Sequence, residues 1–183
     1  MSQNDDQQLV EQAQAGDMSA FDELVRRHHG PVYCYLYRTC RNGAEAEEMT
    51  QESFVKAWEG LKGFRGAASF KTWLFRIATN LCINRLSRRK PVDPLSEDVP
   101  AARRDEPEET YRQQQLKKCG GAALEVLPAD QRAALVLSIY EEMNYDEIAT
   151  AMGRSLASVN SLLYRARMSL RQTLEGARSR GLV

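Results

Sequence analysis

The segment Tyr145 to Tyr164, YDEIATAMGRSLASVNSLLY, constrains the fold more than any other stretch of the chain. It reads as two helices joined by a tight turn. Ala149 supplies the small side chain needed where two helices cross closely. Gly153 stands four residues later, where the turn wants a residue tolerant of positive φ. Val159 follows six residues on, where the second helix must plug a core. Asn144 with Glu147 makes a capping-box start for the first helix, and Ser155 is placed to cap the second. Arg154, Arg165, Arg167 and Arg171 put positive charge on and around the second helix, as a DNA backbone requires. A helical hairpin with a glycine turn also occurs in all-helical proteins that bind no DNA, so the rest of the chain has to choose.

The chain has 183 residues, enough for one ordinary domain or two small ones. Its hydrophobic fraction, 43%, fits a folded soluble protein, and no apolar run approaches a membrane span. The N-terminal residues MSQNDDQQLVEQ are polar and acidic, unlike a signal peptide, so a cytoplasmic location is expected. Cys34, Cys40, Cys82 and Cys119 are scattered without a Cys-x-x-Cys pair, and structural disulfides are not expected in that compartment. His28 and His29 are adjacent and project in different directions from a helix, so no metal site is expected. The formal net charge is zero, with 25 basic and 25 acidic residues, but the charge is segregated. Arg154 to Arg180 holds six arginines against the single acid Glu175. Arg85, Arg88, Arg89 and Lys90 form a second basic cluster, while Asp93 to Glu109 carries seven acids. Two basic surfaces joined by an acidic connector are implied.

Helical periodicity runs through residues 5–90. A short helix from about Asp5 to Ala15 is ended by Gly16. A second begins near Asp17, with Phe21, Leu24, Val25 and His28 on one face; Gly30-Pro31 predicts a kink or break in it. A third spans about Ala44 to Leu61, with Met49, Phe54, Ala57, Trp58 and Leu61 among its apolar members. In the fourth, Phe70, Trp73, Leu74, Ile77, Ala78 and Leu81 form a clean stripe. Phe75 and Ile83 lie off that stripe, either buried by another neighbour or left for a ligand. Residues 91–112 carry four prolines and lose all periodicity, which reads as a linker. A second helical unit follows, with a break expected at Gly120-Gly121 and a helix start near Pro128. Ala133, Val136, Leu137 and Tyr140 of that helix are expected to face inward. No strand pattern persists.

The ordered set of motifs is more specific than any one of them. Glu45-Ala-Glu-Glu-Met-Thr-Gln-Glu-Ser-Phe54 is followed by Phe70-Lys-Thr-Trp-Leu-Phe-Arg-Ile-Ala-Thr-Asn80, then by Arg85 to Lys90. Leu127-Pro128, Glu147-Ile148-Ala149 and Tyr164-Arg-Ala-Arg167 complete the series. Together they resemble, over nearly the whole chain, the extracytoplasmic-function (ECF) sigma factors of bacteria, group IV of the sigma-70 family. The resemblance implies an all-α fold of two small helical domains. Residues 1–90 would be a region 2 type four-helix domain, 91–112 a flexible acidic linker, and 113–183 a region 4 type helix-turn-helix domain.

The resemblance also implies partners and roles. Glu48, Gln51 and Glu52, with Phe54 as an apolar anchor, would dock on the clamp helices of the largest subunit of core RNA polymerase. The C-terminal domain would meet the flap of the second-largest subunit. Phe64, Arg65 and Ser69 would form a pocket for a flipped base at the minus-ten element, and Lys71, Asn80, Asn84, Arg85 and Arg88 would track the opened strand. Trp73 is assigned to the core. In the minus-thirty-five reader, Val159, Leu162 or Leu163, Ala166 and Leu170 face inward. Ser155, Ser158, Asn160, Ser161, Tyr164, Arg165 and Arg167 are left for DNA. Many family members have basic residues where Asn160 and Leu162 stand, so weaker phosphate contacts are expected. The linker would thread toward the polymerase cleft. An anti-sigma partner is implied, but no cofactor, metal or catalytic role. The rival reading is a stand-alone helix-turn-helix regulator with a helical sensor domain.

Overall fold

The computed structural model describes residues 3–88, 124 and 126–179. Among these residues the chain forms seven helices and no strand. Four precede the linker: α1 (Gln3–Gln14), α2 (Met18–Cys40), α3 (Gly43–Leu61) and α4 (Phe70–Arg88). Three follow it: α5 (Ala129–Ile139), α6 (Tyr145–Met152) and α7 (Leu156–Ser179). The expected linker and the Gly120-Gly121 break lie outside the described residues.

The boundaries follow from local chemistry. Gly16, at φ 103°, ends α1 where an L side chain would be strained. The Asp17 carboxylate accepts from the Ser19 amide at 2.9 Å to start α2, and the Asn42 side chain accepts from the Glu45 amide at 3.1 Å to start α3. Asn144 accepts from the Asp146 and Glu147 amides at 3.0 Å, and Glu147 accepts from the Asn144 amide at 2.9 Å, so the capping box is complete. Gly153 closes α6 in the left-handed region, φ 61°. Asn144→Ala should therefore lower stability by about 1 kcal/mol. A urea denaturation midpoint unchanged by that substitution removes the box from the account.

The expected break at Pro31 does not occur; α2 runs through it as one helix. The lost backbone bond and ring clash cost about 3 kcal/mol. Against this stand Val32, Tyr33, Tyr35 and Leu36, all buried just beyond it. Each fully buried large side chain contributes roughly 1.5–3 kcal/mol. The ring of Pro31 itself is exposed.

Helix α4 is covered on more than one side, which resolves the residues off its stripe. Its stripe packs on α2 and α3, and another face packs on α5 and α6 from beyond the linker. Phe75 is accordingly fully buried, edge-on to Tyr35 at 5.3 Å between ring centroids. Val159, Leu162, Leu163 and Ala166 of α7 are all buried. One hydrophobic core runs through both helical groups.

Two further expectations are corrected. Tyr140 is 44% exposed and lies beneath the guanidinium of Arg38, 3.7 Å from the ring centroid, instead of facing its own domain's core. Cys34 is disulfide-bonded, whereas Cys40 and Cys82 are buried and form no disulfide.

Candidate nucleic-acid interface

The first candidate surface lies on α3 and α4. Glu48, Gln51 and Glu52 project from α3, Gln51 donating to the Glu47 carboxylate at 3.1 Å and Glu52 lying 3.5 Å from the Lys56 ammonium. Arg85 reaches across from α4 to bond the Glu48 carboxylate at 2.5 Å. A residue assigned to polymerase and a residue assigned to DNA are thus joined, and the two faces are continuous. Between the helices runs a groove of about 570 Å³, lined by Glu52, Trp73, Asn80, Asn84, Arg85 and Arg88.

Phe54 does not stand on this surface. It is 7% exposed and stacks on His29, with ring centroids 6.2 Å apart. It supports α3 from beneath and cannot be the apolar anchor. Val55 and Trp58, 57% and 36% exposed, present the apolar area that the sequence reading missed, Trp58 leaning on Phe21 at 4.9 Å. Their exposure was hidden because Trp58 fits the apolar pattern of α3.

Three aromatic rings organise the segment before α4. Phe64 packs against Trp73 at 4.9 Å and edge-on to Phe70 at 6.4 Å. The Gln14 side chain donates to the backbone carbonyls of Leu61 and Phe64 at 2.9 and 2.8 Å, tying the loop to α1. Phe64 is therefore a structural member of the loop, half-buried, while Arg65 is exposed beside it. Ser69 accepts from the Thr72 amide at 3.1 Å and so caps α4. Trp73 is only half-buried and lends an edge to the groove. The signal is Gly60, where an added Cβ would stand 3.2 Å from the indole.

Lys71 departs from the strand-tracking role in this arrangement. Its ammonium donates to the Glu141 carbonyl at 2.7 Å and lies 3.3 Å from the Glu141 carboxylate, across the domain boundary.

The second candidate surface is α7. Asn160, Ser161, Tyr164 and Arg165 are exposed over the buried row Val159, Leu163 and Ala166, and Ser158 is half-exposed at the same end. The Ser155 hydroxyl accepts from the Ser158 amide at 3.3 Å. Arg165 donates to the Ser161 carbonyl and hydroxyl at 3.3 and 3.0 Å, which holds its guanidinium along the exposed face. Arg167 donates to the Tyr145 hydroxyl at 3.1 Å and braces α7 against α6. Arg154 pairs with Asp130 and ties the turn to α5. Tyr164 is 66% exposed, a large ring presented to solvent.

Comparison with known proteins decides the family. Residues 24–92 match the Sigma-70 region 2 family and residues 121–170 match Sigma-70, region 4. The chain is 35% identical to the RNA polymerase sigma-H factor of Pseudomonas aeruginosa, covering 96% of each chain. It is 35% identical to the ECF RNA polymerase sigma-E factor of Salmonella typhimurium, over 90% of this chain and 92% of that one. The chain belongs to the ECF sigma factors. The rival stand-alone regulator falls with that finding.

Solved structures agree with the fold of this sigma factor. CnrH, in a complex with the cytosolic domain of CnrY, has a TM-score of 0.67 and 25% identity, over 94% of this chain and 98% of that one. The sigma factor RpoE, in a complex with the anti-sigma factor NepR from Bartonella quintana, has a TM-score of 0.64 at 22% identity, over 85% of this chain and 96% of that one. Of the two departures from the family's basic pattern, only Asn160 lies on the exposed face of α7. Leu162 is 5% exposed, so that position is no lost phosphate contact in this sigma factor. Among the described residues no helix is long and apolar enough to cross a membrane, and no three His, Cys, Asp or Glu side chains gather as a metal site.

Proposed function

We propose that this sigma factor carries core RNA polymerase to a two-part promoter and opens the duplex there. The observation that carries the reading is the α7 face: Asn160, Ser161, Tyr164 and Arg165 stand out from a helix whose opposite row is locked in a core. Asn reads adenine with two hydrogen bonds, and Arg reads guanine or phosphate. The polar residues fix sequence preference, and the arginines supply the salt-dependent attraction.

The division of the remaining chain follows. Residues 1–90 form the polymerase-docking and melting domain, and residues 113–183 the minus-thirty-five domain, with 91–112 as connector. Glu48, Gln51 and Glu52 answer basic residues on the clamp helices of the largest subunit, around Val55 and Trp58 in place of Phe54. The C-terminal domain meets the flap of the second-largest subunit. Arg65, Asn80, Asn84, Arg85 and Arg88 hold the parted strand along the α3–α4 groove, with Trp73 as the stacking surface at its edge. The chemistry of bond formation belongs to the polymerase. The setting is the bacterial cytoplasm, where an anti-sigma protein restrains the factor.

Run-off transcription with core polymerase, followed by sequencing of the RNA starts, tests the whole reading. No product above core alone sinks it. Arg165→Ala should lower promoter affinity of the holoenzyme and flatten the log–log salt dependence by about one; an unchanged slope takes Arg165 off the phosphates. Arg65→Ala should leave recruitment intact and reduce permanganate reactivity of thymines in the bubble. Equal reactivity at equal occupancy removes Arg65 from strand opening.

A further inference from the structure

Helix α1 bears directly on the loop that carries Arg65, although neither polymerase docking nor DNA contact is assigned to it. The helix is firmly seated. Val10 and Ala13 are buried in the core. Nearer its start, Asp6 accepts from the Arg27 guanidinium at 3.1 Å and lies 2.7 Å from Nε2 of His28, both on α2. A terminal helix without such ties would fray. At the other end the half-buried Gln14 reaches across 47 and 50 residues of sequence to the carbonyls of Leu61 and Phe64. Both neighbours are acceptors, so the carboxamide must face them with its nitrogen, whose two hydrogens serve one carbonyl each.

The two carbonyls differ in what else holds them. Leu61 is the last residue of α3, where carbonyls lack intrahelical partners. Its oxygen also accepts from the Phe64 amide at 3.0 Å, and the Gly60 carbonyl accepts from the Gly63 amide at 3.0 Å. The backbone thus closes this turn by itself. No backbone amide among the described residues reaches the Phe64 carbonyl, which is left to Gln14. That oxygen belongs to the peptide group joining Phe64 to Arg65. Because the group is planar, holding its oxygen fixes the plane from which Arg65 departs. One residue further on the chain turns at Gly66, φ 71°. Arg65 is exposed between these two points, so the direction of its side chain is set by the backbone that carries it.

We infer that Gln14 is a positioning residue for strand opening: it holds the Phe64–Arg65 peptide so that the Arg65 guanidinium meets the parted strand already aimed. Gln14 touches no DNA itself and acts through Arg65. The inference rests on the reading above, in that Arg65 takes part in opening. Its physical content is preorganisation, since a guanidinium fixed in advance needs no ordering at the moment the strand arrives. Phe64 adds a second support, because its ring is packed on Trp73 and Phe70 while its carbonyl is held from α1. The loop and the α4 edge of the groove are therefore placed relative to each other before any base enters.

The test compares Gln14→Met, which keeps the length and loses both donors, with Gln14→Lys, whose ammonium can donate to both carbonyls. Each variant is studied as the full chain in holoenzyme with core polymerase, at equal promoter occupancy. Gln14→Met should slow the appearance of permanganate reactivity in the bubble about five- to tenfold, as the aimed fraction of the loop falls with two lost hydrogen bonds. Gln14→Lys should recover most of the rate. A Met variant at the wild-type rate overturns the inference, and so does a Lys variant no faster than the Met variant. A double-mutant cycle separates positioning from general damage. In the Arg65→Ala background Gln14→Met should slow opening no further; an equal further loss there overturns the inference. Hydrogen exchange of the free protein supplies a reading without polymerase. Gln14→Met should speed exchange at residues 63–66 and leave the amides of α2 and α4 as they are, whereas faster exchange throughout the core makes Gln14 a stability residue and overturns the inference. The two readings fail apart. A wild-type holoenzyme that forms no bubble ends the functional reading and this inference with it, while a wild-type bubble indifferent to Gln14→Met ends the inference alone.

Discussion

Replacing Glu48 and Glu52 together by Lys should lower the affinity for core RNA polymerase at least about a hundredfold and leave the fold in place. Losing one partner of a hydrogen-bonded charge pair at an interface costs about 2–5 kcal/mol, and opposed like charges cost several more. Two reversals on adjacent turns of α3 therefore exceed the roughly 2.8 kcal/mol that a hundredfold represents. The fold is much less exposed to the change. The Glu48 side chain is 67% exposed and that of Glu52 43% exposed. Exposed pairs such as Glu48–Arg85 and Glu52–Lys56 contribute about 0–1 kcal/mol each. Gel filtration with core enzyme and a thermal melt separate the two effects. Unchanged affinity disposes of the docking face. A second variant addresses the complication that Glu48 also binds Arg85. Glu48→Lys with Arg85→Glu rebuilds the α3–α4 pair in reverse. Docking stays impaired in that variant if a partner reads the Glu48 carboxylate. Recovery of docking means that Glu48 serves only the internal pair.

Local signals were read correctly and tertiary ones were not, for a physical reason. The capping box at Asn144 and Glu147, the left-handed Gly153 and the buried Val159 are set by residues within one or two turns of each other, so the sequence carries them whole. The fate of Pro31 depended on how many large side chains the next turn buries, a quantity set by α3 and α4. The aromatic Phe54 fits both a core and an interface; only the position of His29 decides between them. Lys71 and Tyr140 belong to a contact between segments 70 residues apart, as Lys71 and Glu141 are. Nothing in the charge pattern distinguishes a lysine kept for DNA from one kept for a carboxylate. Leu162 shows the converse, since a position read as a lost DNA contact is a core position here.

The position that separates these two kinds of information most sharply is Phe75, which periodicity left open between core and ligand. Phe75→Ala should destabilise the protein by about 3–5 kcal/mol, the usual cost of emptying a fully buried phenylalanine site. The ring is fully buried, meets Tyr35 edge-on, and has the Lys71 ammonium 5.7 Å from its centroid. The Tyr35 hydroxyl in turn is hydrogen-bonded to Thr79 at 2.7 Å inside the same layer. The vacated volume therefore borders a buried polar pair that cannot move far without losing its bond, and collapse of the site is resisted. A loss of that size consumes a large part of the 5–15 kcal/mol that a domain typically has. Chemical denaturation at unchanged m-value should show the midpoint displaced accordingly. Phe75→Leu, which refills most of the space, should recover much of it. A base-stacking role predicts the opposite pattern: a stable Ala variant that recruits polymerase and fails only in opening the duplex. A stability loss below about 1 kcal/mol together with that transcription defect would move Phe75 from the core to the DNA. The same result would uncover α4 on the side where the C-terminal helices now lie, and would take the continuous core apart at its centre.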